Sequence, residues 1–390
     1  MKTGFTVPRQ EIITGIRRRL IRLRIRLHMA KTIIRNYKNP VDCYTIFRKL
    51  AEHRREFSGE NIQKIVQVDG KYYWDLYIPG YPSSSLTNFF QGEANRVQQT
   101  DKKTTRFNNI LVAITKRCPL KCEHCFEWDS INGKETLSLS DINTIIGKFQ
   151  EKGTGQIQLT GGEPLLRVDD MVELLKASKR GTEFWIFTSG YNLTLENANK
   201  LKQAGLTGVV ISLDHFNPGI HNQFRGFNKS FELVQSAVRN SIEAHLVAAL
   251  SLCATRSFVT ESNLMEYAEL AKTMGVSFIQ ILEPKAVGHY NGKDVMLDAS
   301  HEKTLDEFYL KMNYNKQYRE FPILCYHGYY QRKVGCFGAG NRSLYIDTDG
   351  DLQACPFCRT KMGSALSGDL DQAIEELLEA GCHRFNTSRF

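Results

Sequence analysis

Ile110-Leu-Val-Ala-Ile-Thr115 runs within three residues into Cys118-Pro-Leu-Lys-Cys122-Glu-His-Cys125-Phe126. The apolar stretch reads as a buried strand. The loop leaving it carries three cysteines at C-x3-C-x2-C, with no fourth nearby. Four thiolates would complete an ordinary electron-transfer cluster. Three leave one iron of a cube with open positions, and an open metal position is where substrate chemistry takes place. Three unrelated core thiols are the alternative, since free cysteine is among the most buried residue types. The tight spacing, the intervening Pro119 and Lys121, and the place just after a strand argue against that.

Working outward, short apolar strands at 109–115, 156–160, 184–188, 208–213, 245–253 and 277–282 alternate with amphipathic helices near 138–151, 169–180, 194–205, 230–244 and 260–275. Gly205 and Gly275 sit where helix C-caps belong. Such alternation predicts a parallel sheet with right-handed crossovers. Gly161-Gly162-Glu163-Pro164 follows the second strand, Thr188-Ser189-Gly190 the third, and Val210-Ile-Ser-Leu-Asp214 closes the fourth. With Cys118–Cys125, and His124 at the motif's aromatic position, this ordered set over residues 108 to 285 resembles the radical S-adenosylmethionine (radical SAM) superfamily.

The resemblance implies an α/β fold, a partial (β/α)6 TIM-like barrel. It also implies a [4Fe–4S] cluster on Cys118, Cys122 and Cys125 whose open iron chelates S-adenosylmethionine. Every motif falls at a strand's carboxyl end, where parallel barrels keep their chemistry. Gly161 and Gly162, lacking side chains, allow the backbone to approach the methionine moiety. Glu163 adds charge there, or bonds the neighbouring strand instead. Ser189, Ser212 and Asp214 are placed near the ribose or the amino acid, with capping of a following turn as the other reading of Asp214. The chemistry implied is reductive cleavage to a 5′-deoxyadenosyl radical that abstracts hydrogen, with flavodoxin or ferredoxin as electron donor. Glu283, His289 and Tyr290 follow the sixth strand and are the substrate-side catalytic candidates, although such residues in loops are more often structural.

The C-terminal part carries a second metal pattern. Cys336, Cys355 and Cys358, with a hairpin of Leu344–Ile346 and Leu352–Ala354 around Asp349-Gly350, resemble the SPASM or twitch auxiliary-cluster extension. Cys382 is the preferred fourth ligand of a second, auxiliary [4Fe–4S] cluster, and Cys325 the competitor. Zinc is the runner-up occupant. A complete seven-cysteine pattern is absent. Cys43 and Cys253 read as buried thiols.

Charge divides the chain. Residues 1–38 hold eleven Lys and Arg against Glu11, a net +10; the whole chain is +9, leaving −1 for 39–390. Ile13, Ile16, Leu20, Leu23, Leu27, Ala30 and Ile34 form one helical stripe, and Ile21, Ile25, Met29 and Ile33 a second. A strand over Arg22–Leu27 is the alternative. The arm is expected either to pack on the protein or to lie on an anionic membrane surface. Nucleic acid ranks last, for want of interleaved aromatics and of a basic body. Val66–Ile78 around Asp69-Gly70 reads as a hairpin, with Tyr72, Tyr73, Trp74, Tyr77 and Tyr81 packing or lining a substrate surface, and the polar run 98–106 as a linker.

The expected organisation is thus a basic helical arm (1–38), an N-terminal extension (39–105), the partial barrel (106–300) and a small cysteine-rich auxiliary-cluster region (301–390). No apolar run approaches a membrane span, no secretory signal is legible, and sparse, metal-spaced cysteines favour the reducing cytosol. The substrate expected is a peptide or protein. A lipid, sugar or cofactor precursor at a membrane surface, or a non-enzymatic iron–sulfur or zinc module, are the alternatives.

Overall fold

The computed structural model describes residues 10–58, 63–99, 107–336, 338 and 340–382. The N-terminal part comprises β1 (Glu11–Ile13), α1 (Gly15–Asn36), α2 (Pro40–Ser58), β2 (Ile65–Val68), β3 (Lys71–Tyr73) and α3 (Ser84–Val97). The Asp69-Gly70 turn forms as the sequence predicts, both residues in the left-handed region at φ +48° and +74°. Its second strand ends at Tyr73, because Asp75 turns the chain by accepting from the Tyr77 backbone N–H. Within the linker expected at 98–106, residues 100–106 lie outside the described residues, as do residues 1–9 of the arm.

Strand and helix then alternate as expected: β4 (Asn109–Ala113), α4 (Leu139–Glu151), β5 (Gln156–Thr160), α5 (Val168–Ala177), β6 (Glu183–Thr188), α6 (Leu195–Ala204), β7 (Leu206–Ser212), then α7 (Pro218–Arg225) and α8 (Ser230–Glu243), β8 (Val247–Cys253), α9 (Glu261–Met274) and β9 (Phe278–Leu282). The short α7 is an addition that the hydrophobic pattern does not announce. Beyond it come α10 (Ala299–Tyr314), β10 (Ile323–Tyr326), α11 (His327–Val334), β11 (Ser343–Ile346), β12 (Leu352–Gln353) and α12 (Leu370–Ala380).

The strand order is β10-β9-β8-β7-β6-β5-β4-β11-β12, parallel throughout except for the β11–β12 hairpin. The sheet does not close on itself, so this is a partial barrel. Residues beyond 300 extend both of its edges: β10 beside β9, and β11 beside β4. All of β5 and all of β8 are buried, the signature of parallel strands covered on both faces.

The N-terminal part grips the strands' starts. Gln10 donates to the Leu246 carbonyl at 2.6 Å, the Gly80 N–H donates to Glu183, and buried Lys64 donates to the Phe321 carbonyl at 2.9 Å. Tyr73 and Leu76 join Trp185, Val210, Val247 and Phe278 in one apolar cluster. The α1 helix is confirmed over the strand alternative, but its packing corrects the stripe read first. Ile21 and Ile33 are buried, whereas Ile16, Leu20, Leu23, Leu27 and Ile34 are exposed. Both faces are apolar, so periodicity gave the helix without saying which face packs.

One charged strut spans all three parts. Glu93 of α3 receives Arg96 at 3.0 Å, Arg342 at 2.9 Å and the Asn108 amide at 2.7 Å. Burial would raise this carboxyl, yet the two guanidiniums hold it down, from 4.5 to about 2. A depressed carboxylate contributes stability above its unfolded value and loses it as pH falls toward the folded one. We expect Glu93→Gln, which removes the charge that pairs Arg96 and Arg342, to cost about 3 kcal/mol at neutral pH. Denaturant titrations should also show a flatter pH dependence for this variant between about pH 4.5 and 2.

Candidate active site

The cysteine loop hangs from the end of β4 and is held by backbone contacts that require glycine. The Gly162 N–H donates to the Thr115 carbonyl at 2.7 Å and the Glu163 N–H to the Arg117 carbonyl at 2.8 Å. A Cβ on Gly161, at φ +131°, would stand 2.5 Å from the Thr115 oxygen, and one on Gly162 2.2 Å from the Arg117 oxygen. Gly288 presses on the same loop from the other side, where a Cβ would meet the Cys125 carbonyl at 2.3 Å. The loop is thus clamped between two glycine contacts.

Neighbouring strand ends are laced together. The Glu163 carboxylate accepts from Thr188 Oγ1 at 2.7 Å, from Ser189 Oγ at 2.5 Å and from the Ser189 N–H at 2.8 Å. Here it makes the bond to the neighbouring strand that was the structural reading of this residue. Asp214 accepts from the Cys253 N–H at 3.0 Å and pairs with Arg225 at 2.6 Å. Arg225, on α7, also reaches Cys122 Sγ at 3.6 Å, so Asp214 orients a cation against a cysteine rather than capping a turn. Ser212 lines the cavity. His124 is half-buried, stacks on Phe224 at 4.9 Å, and its removal from water lowers its pKa to about 4, keeping the ring neutral.

The three catalytic candidates beyond β9 brace this assembly. His289 lies flat on Trp128, ring centroids 3.9 Å apart, and its Nδ1 donates to the Cys122 carbonyl at 3.0 Å. The buried Tyr290 hydroxyl donates to Glu123 at 3.1 Å. Glu283 is surrounded by Lys285 at 3.0 Å, Arg332 at 2.6 Å and the Tyr326 hydroxyl at 2.8 Å. Burial would raise Glu283, but these partners hold it down to about 2. It is a locked ion pair and a poor proton acceptor.

Asp75, which the sequence reading passed over, has the opposite character. It lines the cavity, and burial lifts its pKa to about 6, partly offset by the Tyr77 N–H. Its only sequence signal is an acid inside an aromatic run, which a solvated turn would also produce. Arg225 gave no signal at all, since its partners come from distant loops.

The C-terminal cysteines converge in pairs: Cys336 with Cys382, and Cys355 with Cys358. Cys325 lies elsewhere, buried on β10 near Asp75 and Leu76. The hairpin forms as read, pairing Tyr345 with Gln353 and Ile346 with Leu352. It docks on the cysteine loop through Glu127, which accepts from Tyr345 at 2.6 Å and Arg359 at 2.8 Å. One cavity of about 740 Å³ is lined by Cys118, Cys122 and Cys125 and also by Cys336 and Cys355. Trp74, Phe90, Phe126 and Phe187 give it an apolar wall, and α1 contributes Ile25 and Met29.

The donor chemistry fits iron–sulfur clusters. Burial raises Cys118 and Cys125 to about 12, so these sulfurs stay protonated until a metal displaces the protons. Arg225 partly offsets the burial that raises Cys122. Among the described residues no three Cys, His, Asp or Glu are arranged to hold one metal ion. A cube spreads its thiolates over several irons and needs no such tight focus.

Residues 112–272 match the family described as the Radical SAM superfamily. That stretch runs from the end of β4 into α9 and includes the cysteine loop. The chain is 29% identical to GTP 3′,8-cyclase of Shewanella denitrificans over 198 residues, covering 49% of this chain and 58% of that protein. It is 30% identical to GTP 3′,8-cyclase of Aliarcobacter butzleri over 183 residues, covering 45% and 55%. Molybdenum cofactor biosynthesis protein 1 of Bos taurus is 27% identical over 298 residues, covering 72% and 45%. The chain spans about half the length of these relatives. Among solved structures, Streptococcus suis SuiB bound to precursor peptide SuiA superposes with a TM-score of 0.58 at 16% identity, covering 88% of this chain and 80% of that one. The structure of anSMEcpe with bound AdoMet and Cp18Cys peptide gives 0.53 at 17% identity, covering 68% and 80%. These two likenesses concern the fold.

We expect Gly162→Ala to dislodge the cysteine loop, since its methyl would meet backbone rather than a movable side chain. Anaerobic reconstitution should then leave fewer irons per chain than wild type, while Gly147→Ala, on α4 with open space around it, should keep the full complement.

Proposed function

We propose that this chain is a radical SAM enzyme that cleaves S-adenosylmethionine reductively and takes hydrogen from a substrate held in the shared cavity. The observation that carries the reading is that cavity, into which Cys118, Cys122 and Cys125 and two of the C-terminal cysteines open together. When bound, the cofactors supply one electron and the 5′-deoxyadenosyl radical. Cys118, Cys122 and Cys125 hold the first cluster, and Arg225 keeps a positive charge on the Cys122 sulfur. Gly161 and Gly162 bring backbone to the methionine amino group; Ser189, Ser212 and Asp214 face the nucleoside side. Cys336, Cys355, Cys358 and Cys382 hold the auxiliary cluster. A reducing partner such as flavodoxin or ferredoxin supplies the electron.

The cavity wall speaks to the substrate. Its basic groups are largely spoken for: Arg225 by Asp214, Lys285 by Glu283, Arg342 by Glu93, and Lys64 by backbone carbonyls. Aromatic and aliphatic side chains make up much of the remainder. This favours a peptide or another substrate presenting an apolar group over a highly charged one. The second reading is GTP, named for the cyclase relatives, and Arg22 and Arg26 on the wall are the observation in its favour. Asp75 is the group on the wall suited to accept a proton near neutral pH.

Four outcomes test this. Any one of Cys118→Ala, Cys122→Ala or Cys125→Ala should abolish 5′-deoxyadenosine formation under strict anaerobiosis, while the reconstituted wild type should hold about eight irons, as two cubes. Replacing Cys336, Cys355 and Cys358 together should halve the iron; near-normal cleavage by the first set, or unchanged iron in the second, sinks the assignment. GTP should fail to raise 5′-deoxyadenosine above the uncoupled rate, and a cyclised nucleotide product would overturn the substrate class. Asp75→Asn should preserve cofactor cleavage but remove the limb of the product pH profile near pH 6.

A further inference from the structure

The α1 helix has two apolar faces, and only one meets the protein. At about 100° per residue, Ile16, Leu20, Leu23, Leu27 and Ile34 project within about 40° of one direction, 53–75% exposed. Nothing among the described residues covers this stripe. Arg17, Arg24, Lys31 and Arg35 flank it on one side and Arg19 and Arg26 on the other, all exposed. The helix contains no acidic residue. Of Arg17, Arg19, Arg24, Lys31 and Arg35, only Arg17 has an acidic partner among the described residues, Glu11. The opposite face is fixed: Ile21, with Ile25, packs beside Ile13 and Ile65, and Ile33, with Met29, packs beside Tyr37 and Ile46.

We infer that the outer face of α1 lies on an anionic phospholipid surface, with the aliphatic stripe entering the boundary between headgroups and chains and the flanking cations on the phosphates. Charge complementarity selects this occupant. A stripe of large aliphatic residues more than half exposed is an unusual feature of a soluble surface. Basic borders on both sides, with long stems that reach past the apolar strip, are the arrangement of a helix lying in the interface plane. No helix among the described residues is long and apolar enough to cross a membrane, so the mode is adsorption. Since Ile25, Arg26 and Met29 of the same helix line the cavity, adsorption would set the cavity wall against the lipid surface. The inference does not depend on the reading of the active site.

The test is sedimentation of the full-length protein with vesicles of phosphatidylcholine containing phosphatidylglycerol, against phosphatidylcholine alone. Binding is expected only to the anionic vesicles, and should fade as salt is raised well past physiological strength. The triple change Leu20→Ser, Leu23→Ser, Leu27→Ser should cut the bound fraction about tenfold, as should Arg24→Gln, Lys31→Gln, Arg35→Gln. All six residues are exposed, so circular dichroism and iron content should match wild type in both. Failure of the wild type to bind anionic vesicles at low salt overturns the inference, as does equal binding to uncharged vesicles. Conversion of a wild-type oligomer to a monomer by the serine changes, without lipid binding, would assign the stripe to a second copy of the chain and overturn it equally.

Discussion

A close backbone approach at Gly161 and Gly162 organises much of what surrounds it. β5 is followed by two residues without side chains, and that allows the chain there to hydrogen-bond the Thr115 and Arg117 carbonyls from which the cysteine loop departs. Fixing that departure fixes where Cys118 begins. From Glu163 the lacing continues to β6 through Thr188 and Ser189, and from Asp214 on the β7 end to β8 through the Cys253 N–H. The loop's far side is closed by Gly288 and the His289–Trp128 stack. A parallel sheet supplies strand ends at regular spacing but leaves the loops beyond them free. Here hydrogen bonds between successive loops replace that freedom with a single arrangement.

The sequence shows some of this plainly and some not at all. Strands buried on both faces announce themselves as apolar runs, and the six read from the sequence agree with β4 to β9 to within a few residues. β10 is four residues long, too short for a periodic signal, and although the β11–β12 hairpin is legible, the pairing of β10 and β11 to opposite sides of the sheet is a matter of tertiary placement. Cysteine spacing and the glycine pair marked the candidate site because loop geometry demands those residue types. The partners of Glu283 did not show: Lys285 is two residues away, but Arg332 is reached only when α11 folds back over β9. The same limit hid Arg225. A charge network between loops leaves no local trace, so a residue read from sequence as a free acid can be one half of an ion pair.

Ion pairing also shapes what the cavity can accept. An Arg already matched to a buried carboxylate offers little to a phosphate, because binding the new anion means surrendering the old one in a poorly solvated setting. Glu93, Asp214 and Glu283 each occupy cations at or near the wall. They give the cavity a polar frame but modest net charge, and leave its aromatic rings to define fit. The family match covers residues 112–272, which include the cysteine loop, while the apolar wall draws heavily on N-terminal residues such as Ile25, Met29, Trp74 and Phe90. In the function we propose, cofactor handling and substrate choice fall to different stretches of chain.

That separation gives the first hundred residues a physical purpose. Gln10, Lys64 and Gly80 bind the starts of the strands, Trp74 and Tyr77 turn inward to the cavity, and α1 lies with one side on this framework and the other facing out. A helix of alternating Arg and Leu would gain little from packing both faces into a protein of this size, since each buried Arg needs a partner. Placed at the lipid boundary we infer, it buries its outer stripe and sets the flanking cations among the phosphates.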